Sequence, residues 1–206
     1  MSPVAVVTGG SGGIGSQVVQ QLKAASWDVV SLSRREGCDV SDEAQVKKAF
    51  GALHSLDALI HCAAVLVKKP VSDLTSADWD AQIDSNLRGA FLCSREAFRL
   101  MRDQGGAIVF VSSLSGVAGA EKFPGMTAYV AAKSGLAGLT EALAVEGRPL
   151  GIRVNAVSPG AVDTPMLRIA GVEGPALEAA DVARVIVWLA SPESVPVTGG
   201  NLRMDP

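Results

Sequence analysis

The sequence predicts an α/β fold: a single doubly wound parallel sheet with helices on both faces. Three observations predict it. Short, continuously apolar runs alternate with longer stretches whose apolar residues recur at helical spacing, as expected of strands buried on both faces between crossover helices. A glycine-rich loop, Thr8-Gly9-Gly10-Ser11-Gly12-Gly13-Ile14-Gly15, stands between the first of these strands and the first helix. Finally, 206 residues, 48% hydrophobic and 19% charged, fit one domain over 1–206; the 22 glycines and 10 prolines form no linker or repeat.

The elements follow in order. Val4–Val7 reads as a buried strand and Ile14–Ala25 as a helix with Ile14, Val18 and Leu22 on one face. Val29–Leu32 is a second strand. Ser41 is expected to cap a helix running through Leu53, with Asp42 and Glu43 in the first turn, where the helix dipole favours them. Leu56–Cys62 is a strand, and Asp78–Met101 a long helix expected to turn Ile83, Leu87, Phe91 and Phe98 inward. Ala107–Val111 and Ile152–Val157 are strands around a helix at Ala128–Val145, and Asp181–Ala190 and Leu202–Met204 give the last helix and strand.

Charge and cysteine usage exclude several function classes. A net charge of −3 and a pI near 5.4 argue against a nucleic-acid binder, which is normally basic. No apolar run approaches the ~18 residues of a membrane span. Cys38, Cys62 and Cys93 share no metal-ligand spacing and read as small buried hydrophobes in a reducing compartment. A soluble cytoplasmic protein with no metal site is expected.

Two constellations carry chemistry. In the loop after the first strand, glycines permit a tight turn and let a pyrophosphate approach the backbone, while the following helix offers free N–H groups to an anion. Tyr129, the one tyrosine of the chain, precedes Lys133 by four residues on a predicted helix, so the two side chains lie one turn apart on one face. A phenol with a reference pKa near ~10 needs a nearby cation to work as an acid–base group at neutral pH.

With these go Asn86 in Asp84-Ser85-Asn86-Leu87, Ser112-Ser113 after a strand, and Asn155-Ala156-Val157-Ser158-Pro159-Gly160. In this order the chain resembles the short-chain dehydrogenase/reductase family over nearly its whole length, most nearly its 3-oxoacyl carrier-protein reductases. The family's Thr-Gly-x-x-x-Gly-x-Gly loop is matched by Thr8, Gly9, Gly13 and Gly15. The resemblance implies a Rossmann-like dinucleotide-binding domain. It also implies a catalytic set of Asn86, Ser113, Tyr129 and Lys133, with Ser115 the rival to Ser113 because both follow the strand closely. Ser113 would hold a substrate carbonyl, Tyr129 exchange its proton, Lys133 hold the nicotinamide ribose, and Asn86 hold a water leading to solvent. Thr8, Gly9, Ser11, Gly13, Ile14 and Gly15 would cradle the pyrophosphate. Ala63 and Ala64 would back the cofactor, Asp39 and Val40 meet the adenine, and Pro159, Gly160, Val162 and Thr164 receive the nicotinamide.

The ribose end sets the cofactor. The position often held by aspartate in NAD-preferring relatives is Ser33, followed by Arg34 and Arg35. With no carboxylate to repel a phosphate and two guanidiniums to bind one, NADP(H) is favoured and NAD(H) stays open. Asp39 arrives only five residues after Arg34, so the helix that usually separates the two is missing; Asp39 can equally be a turn residue.

Other departures concern the substrate. His61-Cys62-Ala63-Ala64 stands where the family shows Asn-Asn-Ala-Gly, and His61 reads as a hydrogen-bonded core residue. Between Thr164-Pro165-Met166 and Asp181, residues 167–180 hold Gly171, Gly174 and Pro175 and no long helix, so a reduced substrate lid is expected. The expected activity is reversible reduction of a ketone to a secondary alcohol with NADPH. An NAD-linked dehydrogenase of the same family and a non-catalytic NADP-binding protein are the alternatives. The substrate would be a small-molecule or carrier-bound carbonyl compound, and the helices at 78–101 and 128–145 would build a homodimer or homotetramer.

Overall fold

The computed structural model describes residues 2–205; Met1 and Pro206 lie outside it. Six parallel strands form one sheet in the order β2-β1-β3-β4-β5-β6. They are β1 Val4–Thr8, β2 Asp28–Leu32, β3 Ala58–His61, β4 Gly106–Val111, β5 Ile152–Pro159 and β6 Asn201–Met204. The helices are α1 Gly13–Ala24, α2 Glu43–Gly51, α3 Ser76–Ile83, α4 Gly89–Met101, α5 Thr127–Gly147, α6 Pro165–Ala170 and α7 Ala179–Ala190.

The continuous apolar strands follow from the layering, because alternate side chains of one strand enter different cores. Val6, Leu59, Ile108, Phe110 and Val154 pack against α2, α4 and α5. Ala5, Val7, Ile60, Val109 and Val157 meet Val18 and Leu22 of α1 and Ile186 and Leu189 of α7. A parallel sheet covered on both faces brings every strand's C-terminal end to one edge, where loops can assemble a site.

Two local expectations are corrected. The cap of α2 is Asp42, whose Oδ1 accepts the Ala44 and Gln45 N–H groups at 2.9 and 3.2 Å. Ser41 instead donates its hydroxyl to Asp39 at 2.7 Å. An aspartate one residue nearer the helix reaches the free N–H groups of the first turn, and Ser41 is left to close the turn before it.

The long helix starts earlier, at a Thr75/Asp78 capping box, and a π-turn over Asp84–Arg88 interrupts it. That turn adds one residue and rotates the following helix by roughly 100° relative to the expected phase. Ala90, Cys93, Ala97 and Met101 therefore face the sheet. Phe91 is 44% exposed. Ile83, Leu87 and Phe91 line a groove of about 560 Å³ against Gly135, Gly138 and Leu139 of α5.

The shortened segments take their own form. Between β2 and α2 only a 3-10 turn, Arg34–Glu36, intervenes, ended by Gly37 at φ +81°. After β5, α6 is a single short helix stopped by Gly171 at φ +57°, and Val162 then bridges to Leu177. Because Ala97 rather than Phe91 meets the sheet, Ala97→Leu is expected to overpack the core and cost about 1–3 kcal/mol in urea unfolding. Phe91→Leu should change stability by less than about 0.5 kcal/mol.

Candidate active site

Loops after β1, β3, β4 and β5 converge above the sheet edge. Thr8 ends β1, and the Gly9 N–H donates to the Leu32 carbonyl at 2.7 Å, tying the loop to β2. Gly9 stands at φ +65°, and a Cβ there would lie 2.7 Å from the Ala63 nitrogen. Only glycine fits this left-handed, tightly backed position. Helix α1 starts at Gly13, so the N–H groups of Gly13, Ile14 and Gly15 have no partner within the helix. A Cβ on Gly13 would collide with the Thr164 side chain, so the loop after β5 abuts the loop after β1. Ser11 is exposed at the rim. Ala63 donates its N–H to Thr8 Oγ1 at 3.3 Å, and half-buried Ala64 follows.

At the end of β2 a correction is needed. Ser33 donates its hydroxyl to Glu36 Oε2 at 2.6 Å, and Ser31 donates to the same oxygen at 3.0 Å. The 3-10 turn thus delivers a carboxylate to a place the sequence leaves without one. Arg34 and Arg35 are exposed beside it. Asp39 accepts from the Ser41 N–H and hydroxyl, the contacts of a turn residue, and Val40 is buried against Gly89 of α4.

The catalytic candidates come together from three elements. Ser113 follows β4 and its Oγ accepts the Ser115 N–H at 3.2 Å, which leaves the hydroxyl proton free. Ser113 lies close enough to Tyr129 to draw its pKa down. Ser112 is committed elsewhere, donating to the Lys133 carbonyl at 2.9 Å, and Ser115 is buried. Lys133, 2% exposed, donates from Nζ to the Val111 carbonyl at 2.7 Å. It lies 5.6 Å from the Tyr129 ring centroid, over the ring and not on the hydroxyl. Burial dominates both groups: it pushes Tyr129 up to about 12, against the pull of Ser113, and Lys133 down to about 8. The tyrosine is therefore a protonated acid at neutral pH.

Asn86 sits in the π-turn and turns both ends of its amide to Val65. Oδ1 accepts the Val65 N–H at 2.6 Å, and Nδ2 donates to the Val65 carbonyl at 2.9 Å. After β5, the Gly160 N–H donates to Met204, Val162 is buried, and the Thr164 hydroxyl donates to the Val162 carbonyl at 3.2 Å. Pro159 is the last residue of β5. Burial pushes the Cys62 thiol up to about 12, so it is inert packing at neutral pH.

An apolar wall closes over Tyr129. Leu66, Met126 and Ala170 are buried with it, and Phe123, Val130, Met166 and Val172 pack around them. Met166 Sδ lies 4.0 Å from the Tyr129 hydroxyl. Lys68 holds the C-terminal end of α6 by donating to the Ala170 carbonyl at 2.5 Å. These residues come from three separated segments, so no sequence signal gathers the whole set.

Comparison with known proteins fits this geometry. A family model described as enoyl-(acyl carrier protein) reductase matches residues 18–206. A 3beta-hydroxysteroid dehydrogenase of Mediterraneibacter gnavus is 36% identical over 188 residues, covering 79% of this chain and 67% of that protein. A short-chain dehydrogenase/reductase of Armillaria gallica is 33% identical, covering 98% and 94%. Its alignment runs to 246 positions against 206 residues here, so that relative carries internal segments this chain lacks. The structure of ElxO with NADP bound superposes with a TM-score of 0.89 at 28% identity, covering 100% of this chain and 98% of that one.

The chain belongs to the short-chain dehydrogenase/reductase family and is an oxidoreductase that uses a nicotinamide cofactor. The glycine cradle fits such a cofactor, because a Cβ would fill it at Gly9 and the first N–H groups of α1 face outward unpaired. Gly9→Ala is expected to raise the cofactor Kd at least about tenfold by titration calorimetry while leaving far-UV circular dichroism unchanged.

Proposed function

We propose that the protein reversibly reduces a ketone to a secondary alcohol with NADPH, using Ser113, Tyr129, Lys133 and Asn86. The observation that carries this reading is a buried Tyr129, kept protonated, with the Lys133 ammonium 5.6 Å from its ring. The bound cofactor supplies a hydride to the carbonyl carbon. Ser113 already accepts a backbone N–H, so its proton is free to bond the carbonyl oxygen as charge develops there. Tyr129 gives its proton to that oxygen, and the Lys133 ammonium has further N–H donors for the ribose and for the spent phenolate. Asn86 fixes the Val65 segment at the inner end of this set.

The wall of Leu66, Phe123, Met126 and Met166 supports an apolar substrate body, small or carrier-borne, under a reduced lid at 167–180. The α4–α5 groove supports self-association as a homodimer or homotetramer. Arg34 and Arg35 support NADPH by offering guanidiniums to a 2′-phosphate. A specific observation favours the second reading, an NADH-linked enzyme: the Glu36 carboxylate on Ser33 is suited to ribose hydroxyls and repels a phosphate.

Oxidation of NADPH and NADH over small, steroidal, aromatic and thioester-linked ketones tests the activity. Tyr129→Phe should lower kcat at least about a thousandfold with the cofactor Kd within twofold. Turnover surviving in that variant would remove Tyr129 from the chemistry. The ratio of kcat/KM for NADPH over NADH should exceed one and rise about tenfold or more in Glu36→Gln; a ratio below one in the unmodified protein selects the NADH reading.

The pH dependence has a definite sign. Tyr129 keeps its proton up to about 12, whereas the Lys133 ammonium is present below about pH 8 and lost above it. Reductive kcat/KM should therefore be level below pH 8 and fall as pH rises through it. A profile level from pH 7 to 9.5 would contradict loss of the Lys133 proton near pH 8 as the controlling step.

A further inference from the structure

His61 ends β3 with no exposed surface, and its Nε2 is a buried side-chain polar atom with no hydrogen-bond partner among the described residues. Its Nδ1 lies 2.9 Å from Thr8 Oγ1. Hydrogen-bond accounting fixes which nitrogen carries the proton. Thr8 Oγ1 already accepts the Ala63 N–H. A hydroxyl has one proton, and the acceptor in reach for it is His61 Nδ1. The imidazole is therefore protonated on Nε2. The opposite tautomer would leave the Thr8 proton without an acceptor and an Nε2 lone pair without a donor.

The backbone polar group next to the ring is that of Ser85. Ser85 stands in the π-turn, where the Gly89 N–H, the partner an α-helix would give the Ser85 carbonyl, donates to Asp84 instead. An unmatched donor and a released acceptor thus face each other across the space between β3 and the helix carrying Asn86. Burial and the nearby Lys133 charge both keep the imidazole neutral, so it acts through its hydrogen bonds and not through charge. Phe110 backs the ring edge-on at 6.4 Å.

We propose that His61 is a positioning residue with two separable jobs: Nδ1 holds Thr8 at the root of the phosphate loop, and Nε2–H holds the Ser85 carbonyl and with it the π-turn that sets Asn86 and the Lys133 side of the site. One ring thereby fixes the cofactor cradle and the catalytic set to the same strand end.

The two jobs are distinguished by three variants. In side-chain reach, asparagine reproduces Nδ1 and glutamine reproduces Nε2, whereas phenylalanine keeps the ring and loses both nitrogens. His61→Phe is expected to raise the NADPH Kd and lower kcat, each about tenfold, the size of losing one buried hydrogen bond. His61→Asn should restore Kd but not kcat, and His61→Gln should restore kcat but not Kd. Unchanged values in His61→Phe, or one undivided loss in all three variants, would overturn the assignment and leave His61 as packing.

Nitrogen-15 NMR of the unmodified protein at pH 7 tests the tautomer even where a variant fails to fold. A protonated Nε2 with a bare Nδ1 is expected, and the reverse overturns the proposal. The kcat arm rests on the reductase reading. If the unmodified protein turns over no carbonyl compound, that reading fails while the Kd and NMR results still decide the role of His61.

Discussion

The arrangement depends on one buried charge. Lys133 is among the largest fully buried side chains, and its ammonium is given a single hydrogen bond, to the Val111 carbonyl. Removing a cation from water is costly, and here burial has already drawn its pKa down to about 8. Everything around it holds the group in place. Val111 is the last residue of a strand locked between two parallel neighbours, Ser112 bonds the Lys133 carbonyl, and Gly116 leaves no room for a Cβ against the Lys133 backbone. A flexible scaffold would let the ammonium swing toward solvent. A rigid sheet edge keeps it beneath the tyrosine ring.

That rigidity explains what the sequence makes legible. Strands such as Ala58–His61 must be apolar on both faces, so composition alone marks them, and the order of motifs follows the order of strand ends. The helix phase past residue 84 is hidden because the π-turn is a backbone choice that leaves the residue pattern unchanged, and Phe91 looks as suited to a core as Ala97. Glu36 is hidden for a different reason. It reaches Ser33 from three residues away through a 3-10 turn, whereas a strand-end aspartate would occupy position 33 itself. Met166, Leu66 and Phe123 meet only in three dimensions.

The π-turn joins the two halves of the site. One inserted residue directs Asn86 to the Val65 backbone and exposes an apolar row of α3 and α4 to the groove shared with α5. A regular helix would offer one of these faces to the sheet and lose the other. The local irregularity is thus tied both to the site and to the protein's outer surface, so that substitutions in the groove near Leu87 bear on the placement of Asn86 one residue away.

The shortened connection after β2 has a consequence for solubility. With no strand beyond it among the described residues, β2 is the rim of the sheet. Asp28 and Leu32 bond toward β1, so the backbone groups of Val29 and Ser31 point outward, a template on which another chain could add a strand. The rim is only five residues long, and Ser31 carries the Glu36 carboxylate at its outer end. A short edge closed by a charged turn is a poor template for a further strand. The turn that brings the Glu36 carboxylate to Ser33 therefore also blunts the edge along which the sheet could grow sideways.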